Sequence, residues 1–326
     1  MLRPLPFVRQ RVDRFGRDFE TFFVERDFEP HAPVELTSRL DPTTLFVGST
    51  ISVFKPSLLR AADRLAPAVL VQEVLRTQNL RCANIDARGI SKTSLFLACG
   101  LVGPLRLLTP VARACQELMQ ALFDDRLVIT VWHRDADLVN LVRGLAHPPG
   151  GLRMAVSDET PFRHAYGQPE LTGRNYNYGV RGAHGAVTDV ANLIVLQVHG
   201  EEVAFEFGLG ASTSLQHQLQ LDHAIQAAPI AAHVPLESPL HVKLADYLAA
   251  AIALRSEGLR PNASSRGKVL RSYMRAIARL QRICGLGDDD LHRGVEGAFS
   301  ERHDPACDAH RFMLELHGAY NSWAER

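Results

Sequence analysis

The chain has 326 residues, of which 46% are hydrophobic and 22% are charged, and its formal net charge is zero. This length and apolar content suffice for a globular protein of one large domain or two moderate ones. A zero net charge argues against a generally basic nucleic-acid binder but leaves local basic patches open.

The cysteines and the apolar runs bear on the compartment. Five scattered cysteines are an odd number, which is typical of reduced proteins rather than of disulfide scaffolds. No apolar run reaches the length of a membrane span or the pattern of a signal peptide. We therefore expect a cytoplasmic protein.

The first two thirds of the chain mix helical and strand-like patterns. Residues 8–28 have apolar side chains at helical spacing, and Pro30 and Pro33 end this pattern. Strand-like runs are 44–47, 95–98, 127–132, 193–198 and 203–207, and residues 146–151 form a predicted surface turn. Strands spread among helices predict an α+β fold with a mixed sheet.

From about residue 236 the chain becomes helical and basic. Residues 241–286 contain nine Lys and Arg against two Asp and Glu. Arg271, Arg275 and Arg279 recur every fourth residue, which predicts an amphipathic helix with an arginine ridge on one face. This ridge suits a phosphate backbone, although a solvated helix face balanced by distant acids explains the same pattern.

A series of short motifs resembles alanyl-tRNA synthetases. In chain order they are Asp41-Pro-Thr-Thr-Leu-Phe46, Phe54-Lys55, Gln72-Glu-Val-Leu-Arg76, Gly182-Ala-His-Gly-Ala-Val-Thr-Asp-Val190, Glu206-Phe-Gly-Leu-Gly210 and Arg260-Pro-Asn-Ala-Ser-Ser-Arg-Gly-Lys-Val-Leu-Arg271. Their order holds from residue 19 to about 286, and the last is the most specific. The chain resembles the catalytic core and first tRNA-recognition helices of this family.

The resemblance implies a fold and a division into domains. It implies the antiparallel sheet of class II synthetases, flanked by helices, over residues 1–235. It also implies a helical tRNA-recognition domain over residues 236–326. The editing and C-terminal oligomerisation domains of the family have no counterpart, so the chain is similar to a truncated, degenerate paralogue of the kind found in natural-product biosynthesis.

The resemblance also implies roles for residues of the catalytic core. Arg76 occupies the place of the arginine that holds the α-phosphate and then the aminoacyl adenylate, and Glu206 that of the acid that binds the α-ammonium group. A structural ion pair between Arg76 and Glu206 is the alternative. Tyr176 and Asn192 correspond to walls of the amino-acid pocket, and Gly208 and Gly210 belong to motif 3.

The residues that handle ATP in the family are replaced. The Arg-His-His of motif 2 is Ser91-Lys92-Thr93 here, and the arginine that neutralises the γ-phosphate falls at Thr213. Because adenylyl transfer needs positive charge at the departing pyrophosphate, we expect ATP-driven activation to be lost, with Lys92 as the candidate substitute. No cofactor is expected; ATP and magnesium enter only if activation survives.

Matches on the tRNA side are better preserved. The resemblance implies contacts of Asn262, Arg266, Lys268, Arg271, Arg275 and Arg279 with tRNA.

Two groups of residues that contain histidine give weaker signals of a functional site. His184 lies in a glycine-rich loop, where it is a candidate general base or a loop residue without a catalytic role. His303, Cys307 and His310 have metal-like spacing without a visible fourth ligand, so no metal site is expected.

These observations favour one function over two alternatives. The leading hypothesis is an aminoacyltransferase that moves an amino acid from aminoacyl-tRNA to a small-molecule amine of sulfonamide or sulfamate type, resembling AMP or an aminoacyl adenylate, in antibiotic biosynthesis. The second is a minimal ATP-dependent alanyl-tRNA synthetase. The third is a non-catalytic regulatory protein that binds tRNA.

Overall fold

The computed structural model describes residues 6–82, 92–145, 153–157, 162–182, 185–302 and 309–324. The helices of these ranges are α1 (Pro6–Val24), α2 (Ile51–Ala61), α3 (Leu108–Phe123), α4 (Ala136–Leu145), α5 (Ala211–Gln218), α6 (Pro239–Ser256), α7 (Ser265–Ile283), α8 (Asp288–Glu301) and α9 (Ala309–Ala324). The strands are β1 (Glu29–Pro30), β2 (Ala68–Leu75), β3 (Leu95–Pro104), β4 (Leu127–Trp132), β5 (Arg153–Ser157), β6 (Arg163–Ala165), β7 (Leu171–Arg181), β8 (Val187–Val198) and β9 (Glu201–Gly210).

All nine strands join one sheet in the order β1-β2-β3-β9-β8-β7-β4-β5, with β6 pairing to β7 beside this path. The pairs from β2 through β9 and β8 to β4 are antiparallel, whereas β1 and β5 each join their neighbour in parallel. The α+β class with a mixed sheet is confirmed. The sheet expected from the family resemblance is antiparallel only in its centre.

The predicted elements agree with the structure in part. The first helix ends at Val24, and strands cover 95–98, 127–132, 193–198 and 203–207 as expected. The run 44–47 is wrong as a strand, because these residues form bends and irregular backbone after a turn at Pro42. The predicted turn at 146–151 lies outside the described residues. Strands β2 and β7, both largely buried, were missed.

A smaller hydrophobic core packs α2 against the sheet, and two larger hydrophobic cores also include sheet residues. One packs α1 and α3 on one sheet face, with Phe19, Phe23, Phe205 and Phe207 all buried. The other joins α6, α7, α8 and α9 to residues of the sheet part, including Leu36, Phe46, Leu75 and Leu95. The helical segment therefore shares its core with the sheet segment.

Polar contacts reinforce this second core. Glu257, just after α6, accepts hydrogen bonds from the backbone N–H groups of Leu36 and Thr37 at 2.6 and 2.9 Å. Asp246 on α6 is fully buried and binds Ser94 and Asn79. The helical segment thus holds Leu36 and Thr37 in one loop, and Asn79 after β2 and Ser94 before β3.

None of the helices in the described ranges is both long enough and apolar enough to cross a membrane.

Candidate active site

A cavity of about 930 Å³ lies over the middle of the sheet. Strands β3, β6, β7, β8 and β9 contribute to its lining, together with the end of β2, parts of α2 and α5, and the loops before α2, after β2 and after β6. The lining residues that carry ionisable side chains are Lys55, Arg76, Lys92, Cys99, His164, Tyr166, Asp189 and Glu206. This volume is within the range of small-molecule binding pockets.

The strand register places Glu206, Ile194, Gly208 and Asn192 across the floor of the cavity. Glu206 on β9 lies opposite Ile194 on β8, which lies opposite Asn175 on β7. Two residues further along β9, on the same sheet face, Gly208 lies opposite Asn192 on β8. Neighbouring strands are about 4.8 Å apart, and alternate residues of one strand are about 7 Å apart. The space between Glu206 and Asn192 therefore has room for one small ligand.

Gly208 keeps the floor open beside Asn192. A Cβ atom at this position would lie 3.3 Å from Asn192 Oδ1. The missing side chain therefore leaves the amide of Asn192 accessible from the cavity.

Glu206 is the buried acid of the cavity, with 5% of its surface exposed. The hydroxyl of Tyr166 donates a hydrogen bond to Glu206 Oε2 at 3.0 Å. Burial raises the pKa of Glu206 to about 7, although the Tyr166 bond and the charges of Arg76 and Lys55 oppose that rise. Near neutral pH this carboxyl group is thus poised to ionise when a cation approaches.

Arg76 extends from the end of β2 into the same cavity. Its Nε donates to the carbonyl oxygen of Gly48 at 3.0 Å, and its guanidinium carbon lies 5.2 Å from the centre of the Phe96 ring. Arg76 and Glu206 influence each other's pKa, yet their hydrogen bonds go to different partners. The alternative of a direct structural ion pair is wrong.

Lys55 is a buried cation whose hydrogen bonds stay within the protein. Its Nζ donates to Asp41 Oδ2 at 2.5 Å, to Thr43 Oγ1 at 3.0 Å and to the Tyr166 carbonyl oxygen at 2.6 Å. An ammonium group has three donors, so all of them are used. Lys55 therefore joins the loop of residues 41–43 to the loop at Tyr166. Among the described residues that line the cavity, Arg76 and Lys92 are the cations that can still bind an anion.

Lys92 and Asp189 lie at a more exposed part of the cavity. Asn177 Nδ2 donates to Asp189 Oδ2 at 2.8 Å, and the charge of Lys92 acts on the Asp189 carboxylate. Burial is the largest influence on Asp189 and raises its pKa. The Lys92 ammonium group thus has a nearby acid to balance it.

The structure corrects the expected role of Tyr176. Side chains alternate across a strand, and Tyr176 and Tyr178 point away from the cavity into the core, where their hydroxyl oxygens lie 3.2 Å apart. Asn177, between them, reaches the cavity instead. A shift of one residue in a strand moves the side chain to the opposite face, so Tyr176 is a core residue and Asn177 forms the wall.

Most of the other residues predicted for the catalytic core line the cavity. Asn192, Gly208, Gly210, Lys92 and Thr213 line the cavity together with Arg76 and Glu206. His184 lies outside the described residues, as do His303 and Cys307.

The expected tRNA contacts divide between the protein interior and its surface. Arg266 donates to the carbonyl oxygens of Leu45, Thr37 and Ser38, so its guanidinium group fastens α7 to the 37–45 loop. This is a structural role, and the expectation that Arg266 also contacts tRNA stays a prediction. Asn262 Oδ1 accepts from the N–H and hydroxyl of Ser264 at the start of α7.

The arginine ridge of α7 packs partly on α9. Arg275 Nε donates to the carbonyl oxygen of Ala319 at 3.2 Å, and Arg271 is half-buried. Lys268 and Arg279 are exposed on this helix. The surface open to a nucleic acid is therefore narrower than the sequence pattern indicated.

Several site residues carried no sequence signal. Tyr166 and His164 stand in no motif that pointed to a site. Strand β6 is only three residues long, so its alternation was too short to recognise.

Comparisons with known proteins give a distant likeness. No protein-family model matches the sequence, and no curated protein matches it. The RNA binding domain of threonyl-tRNA synthetase from Cryptosporidium parvum Iowa II is similar over 65% of each chain, with 8% identity and a TM-score of 0.42. Apo S. aureus histidyl-tRNA synthetase is similar over 68% of this chain and 73% of that one, with 9% identity and a TM-score of 0.41.

A third structure is Entamoeba histolytica asparaginyl-tRNA synthetase in complex with asparaginyl-adenylate, at 11% identity and a TM-score of 0.38, over 71% of this chain and 67% of that one. All three are aminoacyl-tRNA synthetases or parts of one. The chain spans 65% of the first of these structures. This likeness does not by itself assign an activity.

Proposed function

We propose that the protein is an aminoacyltransferase with a class II synthetase-like fold, which moves an amino acid from aminoacyl-tRNA to a small-molecule amine. The observation that carries the proposal is the pairing of Glu206 and Arg76 in one cavity without a bond between them. A buried acid suits the α-ammonium group of an aminoacyl donor. A guanidinium group suits an oxyanion or a phosphate-like head.

The charge of the cavity favours transfer over activation by ATP. Lys55 is neutralised by Asp41, and Lys92 lies near Asp189. Among the described lining residues, Arg76 is thus the main cation for an anionic ligand. A magnesium-bound triphosphate needs several positive groups, whereas a sulfamate or sulfonamide head needs one or two donors.

The reaction breaks the ester bond of the aminoacyl-tRNA and forms an amide. The nitrogen of the acceptor attacks the carbonyl carbon of the aminoacyl ester, and a C–N bond forms while the C–O bond to the terminal ribose breaks. The nitrogen loses one proton, and the ribose oxygen gains one. Glu206 holds the α-ammonium group, and Arg76 faces the oxyanion of the tetrahedral intermediate or the acceptor head.

Transfer from preformed substrate tests the proposal. A pool of aminoacyl-tRNAs with labelled amino acids is mixed with 5′-O-sulfamoyladenosine and the protein, without ATP. We expect a labelled amide with wild type and at least about a 30-fold lower kcat/KM with Arg76→Ala or Glu206→Ala. Arg60→Ala is the matched control, because Arg60 is an exposed arginine of α2.

The same samples separate the two alternatives. ATP–pyrophosphate exchange with any amino acid would support the minimal alanyl-tRNA synthetase, in which Lys92 at the cavity serves the phosphates. Absence of both transfer and exchange, together with tRNA binding that survives Arg76→Ala and Glu206→Ala, would support the non-catalytic tRNA-binding protein. A role in antibiotic biosynthesis depends on finding transfer to a sulfonamide-type acceptor.

A further inference from the structure

His164 is a cavity residue to which the proposed function has so far given no role. It is the middle residue of the short strand β6. Its neighbour Arg163 points to the other face, where it makes a bidentate pair with Asp135 at 2.8 Å for both bonds. Because side chains alternate along a strand, His164 is directed into the cavity.

His164 belongs to the same wall as the ammonium site. Its ring stacks with the ring of Tyr166 at 6.0 Å between centroids and 20° between planes. The hydroxyl of Tyr166 in turn bonds to Glu206. His164, Tyr166 and Glu206 therefore form one continuous wall.

A glycine on the neighbouring strand makes room for this wall. Gly173 on β7 lies opposite His164 in the register. A Cβ atom at Gly173 would lie 2.6 Å from Ile194 Cγ2 and 3.4 Å from the Tyr166 hydroxyl oxygen. A side chain there would displace the contacts on which Tyr166 and His164 rest.

The charges around His164 favour a neutral ring. Burial lowers the pKa of His164 below its ordinary value and the nearby Arg76 charge lowers it further, whereas a hydrogen bond with Asn175 opposes this fall. Tyr166, Glu206 and the Asp41-paired Lys55 are the other ionisable groups of this wall. Arg163 and Arg174 on β6 and β7 are engaged by Asp135, Asp137 and Glu202.

We infer that His164 is the general base that accepts the proton of the acceptor nitrogen, an inference that rests on the proposed function. The lone pair of the nitrogen attacks the ester carbonyl while its proton passes to the unprotonated ring nitrogen of His164. The resulting imidazolium gives this proton to the departing ribose oxygen when the C–O bond breaks. The protein ends the cycle in its starting state, and no further reactant is required.

The test compares His164→Gln with a matched control, His217→Gln. His217 is also half-buried with a lowered pKa, caused by burial and by Arg126, but it is absent from the cavity lining. Transfer from aminoacyl-tRNA to 5′-O-sulfamoyladenosine is measured as kcat at saturating donor. We expect a loss of about 100-fold or more with His164→Gln and less than about threefold with His217→Gln.

Two further measurements distinguish a proton acceptor from a residue that only supports the wall. The wild-type kcat should fall at acidic pH as His164 becomes protonated, and this limb should be absent in His164→Gln. Added imidazole should restore transfer by His164→Ala at least about tenfold, whereas it should not restore Glu206→Ala. Binding of aminoacyl-tRNA should be unchanged in both His164 variants.

The outcomes separate this inference from the proposed function. Transfer by His164→Gln within threefold of wild type, or a failure of imidazole to restore His164→Ala while donor binding is intact, would overturn the role of His164 alone. Absence of transfer by wild type would overturn both proposals.

Discussion

Asp246 on α6 accepts two hydrogen bonds from Ser94, one from its backbone N–H and one from its hydroxyl, both at 2.6 Å. The amide of Asn79 donates a third bond at 3.0 Å. The carbonyl oxygen of Ser94 accepts the backbone N–H of Arg76 at 2.9 Å. A buried acid of the helical segment therefore positions the strand ends that present Arg76.

Replacement of this acid tests its contribution to stability. Asp246→Asn places an amide donor against the donors of Ser94 and Asn79, and we expect a loss of about 2–3 kcal/mol in the free energy of unfolding, measured with urea. Asp290→Asn, at an exposed acid of α8, should change stability by less than about 0.5 kcal/mol. Equal stabilities of the two variants would contradict the role of Asp246.

Local patterns predicted the elements better than they predicted the site. Runs of β-branched and aromatic residues identified the strands that carry Glu206 and Asn192, because burial on a sheet selects such residues. These patterns did not predict to which face of the sheet each side chain points. In Asn175-Tyr-Asn-Tyr178 polar and aromatic residues alternate, and only the structure shows that Asn177 lines the cavity while the tyrosines face the core.

Long-range contacts explain the other differences. Arg266 resembled a phosphate ligand, but its partners are backbone carbonyl groups more than 200 residues earlier in the chain. Neither the helical spacing nor the local charge of α7 contains this information. His164 likewise gains its place from pairing with Gly173 and stacking on Tyr166.

The buried pair of Lys55 and Asp41 gives a second prediction. Lys55→Met leaves the Asp41 carboxylate in the interior without its cation, and we expect a loss of about 3–5 kcal/mol. Addition of Asp41→Asn should recover part of this loss, since the neutral amide needs no countercharge. Urea unfolding of the two single variants and the double variant measures the coupling. A double variant no more stable than Lys55→Met would show that charge is not the cause.

The third prediction concerns two basic residues of α7, Lys268 and Arg266, whose replacements should affect tRNA binding and stability differently. Lys268→Ala removes an exposed charge, so tRNA affinity should fall and the slope of log affinity against log salt should decrease by about 1, without a change in unfolding free energy. Arg266→Ala removes bonds to three carbonyl groups and should destabilise the protein by about 2 kcal/mol or more. Filter binding at several salt concentrations, with urea unfolding alongside, measures both effects. The reverse pattern would support Arg266 as a tRNA contact.

The fourth prediction concerns the pH dependence that Glu206 imposes on stability. Its pKa is about 7 in the folded protein and about 4.5, the ordinary value, in the unfolded chain. Between these values the folded state binds more protons, so stability falls as pH rises from about 4.5 to about 7. The loss is complete above this window and amounts to about 3 kcal/mol.

Glu206→Gln should abolish this loss, because the amide is neutral at every pH in the window and its oxygen still accepts the bond from Tyr166. Unfolding of wild type and variant is measured with urea at pH 5, 6, 7 and 8. The stability of Glu206→Gln relative to wild type should increase with pH and then level off above about pH 7. Glu73→Gln, at a partly exposed acid of β2, serves as the control, and its difference from wild type should vary much less. Parallel curves for wild type and Glu206→Gln would mean that the acid ionises in the folded state at its ordinary pKa. The acid would then already be ionised at neutral pH, before any α-ammonium group binds.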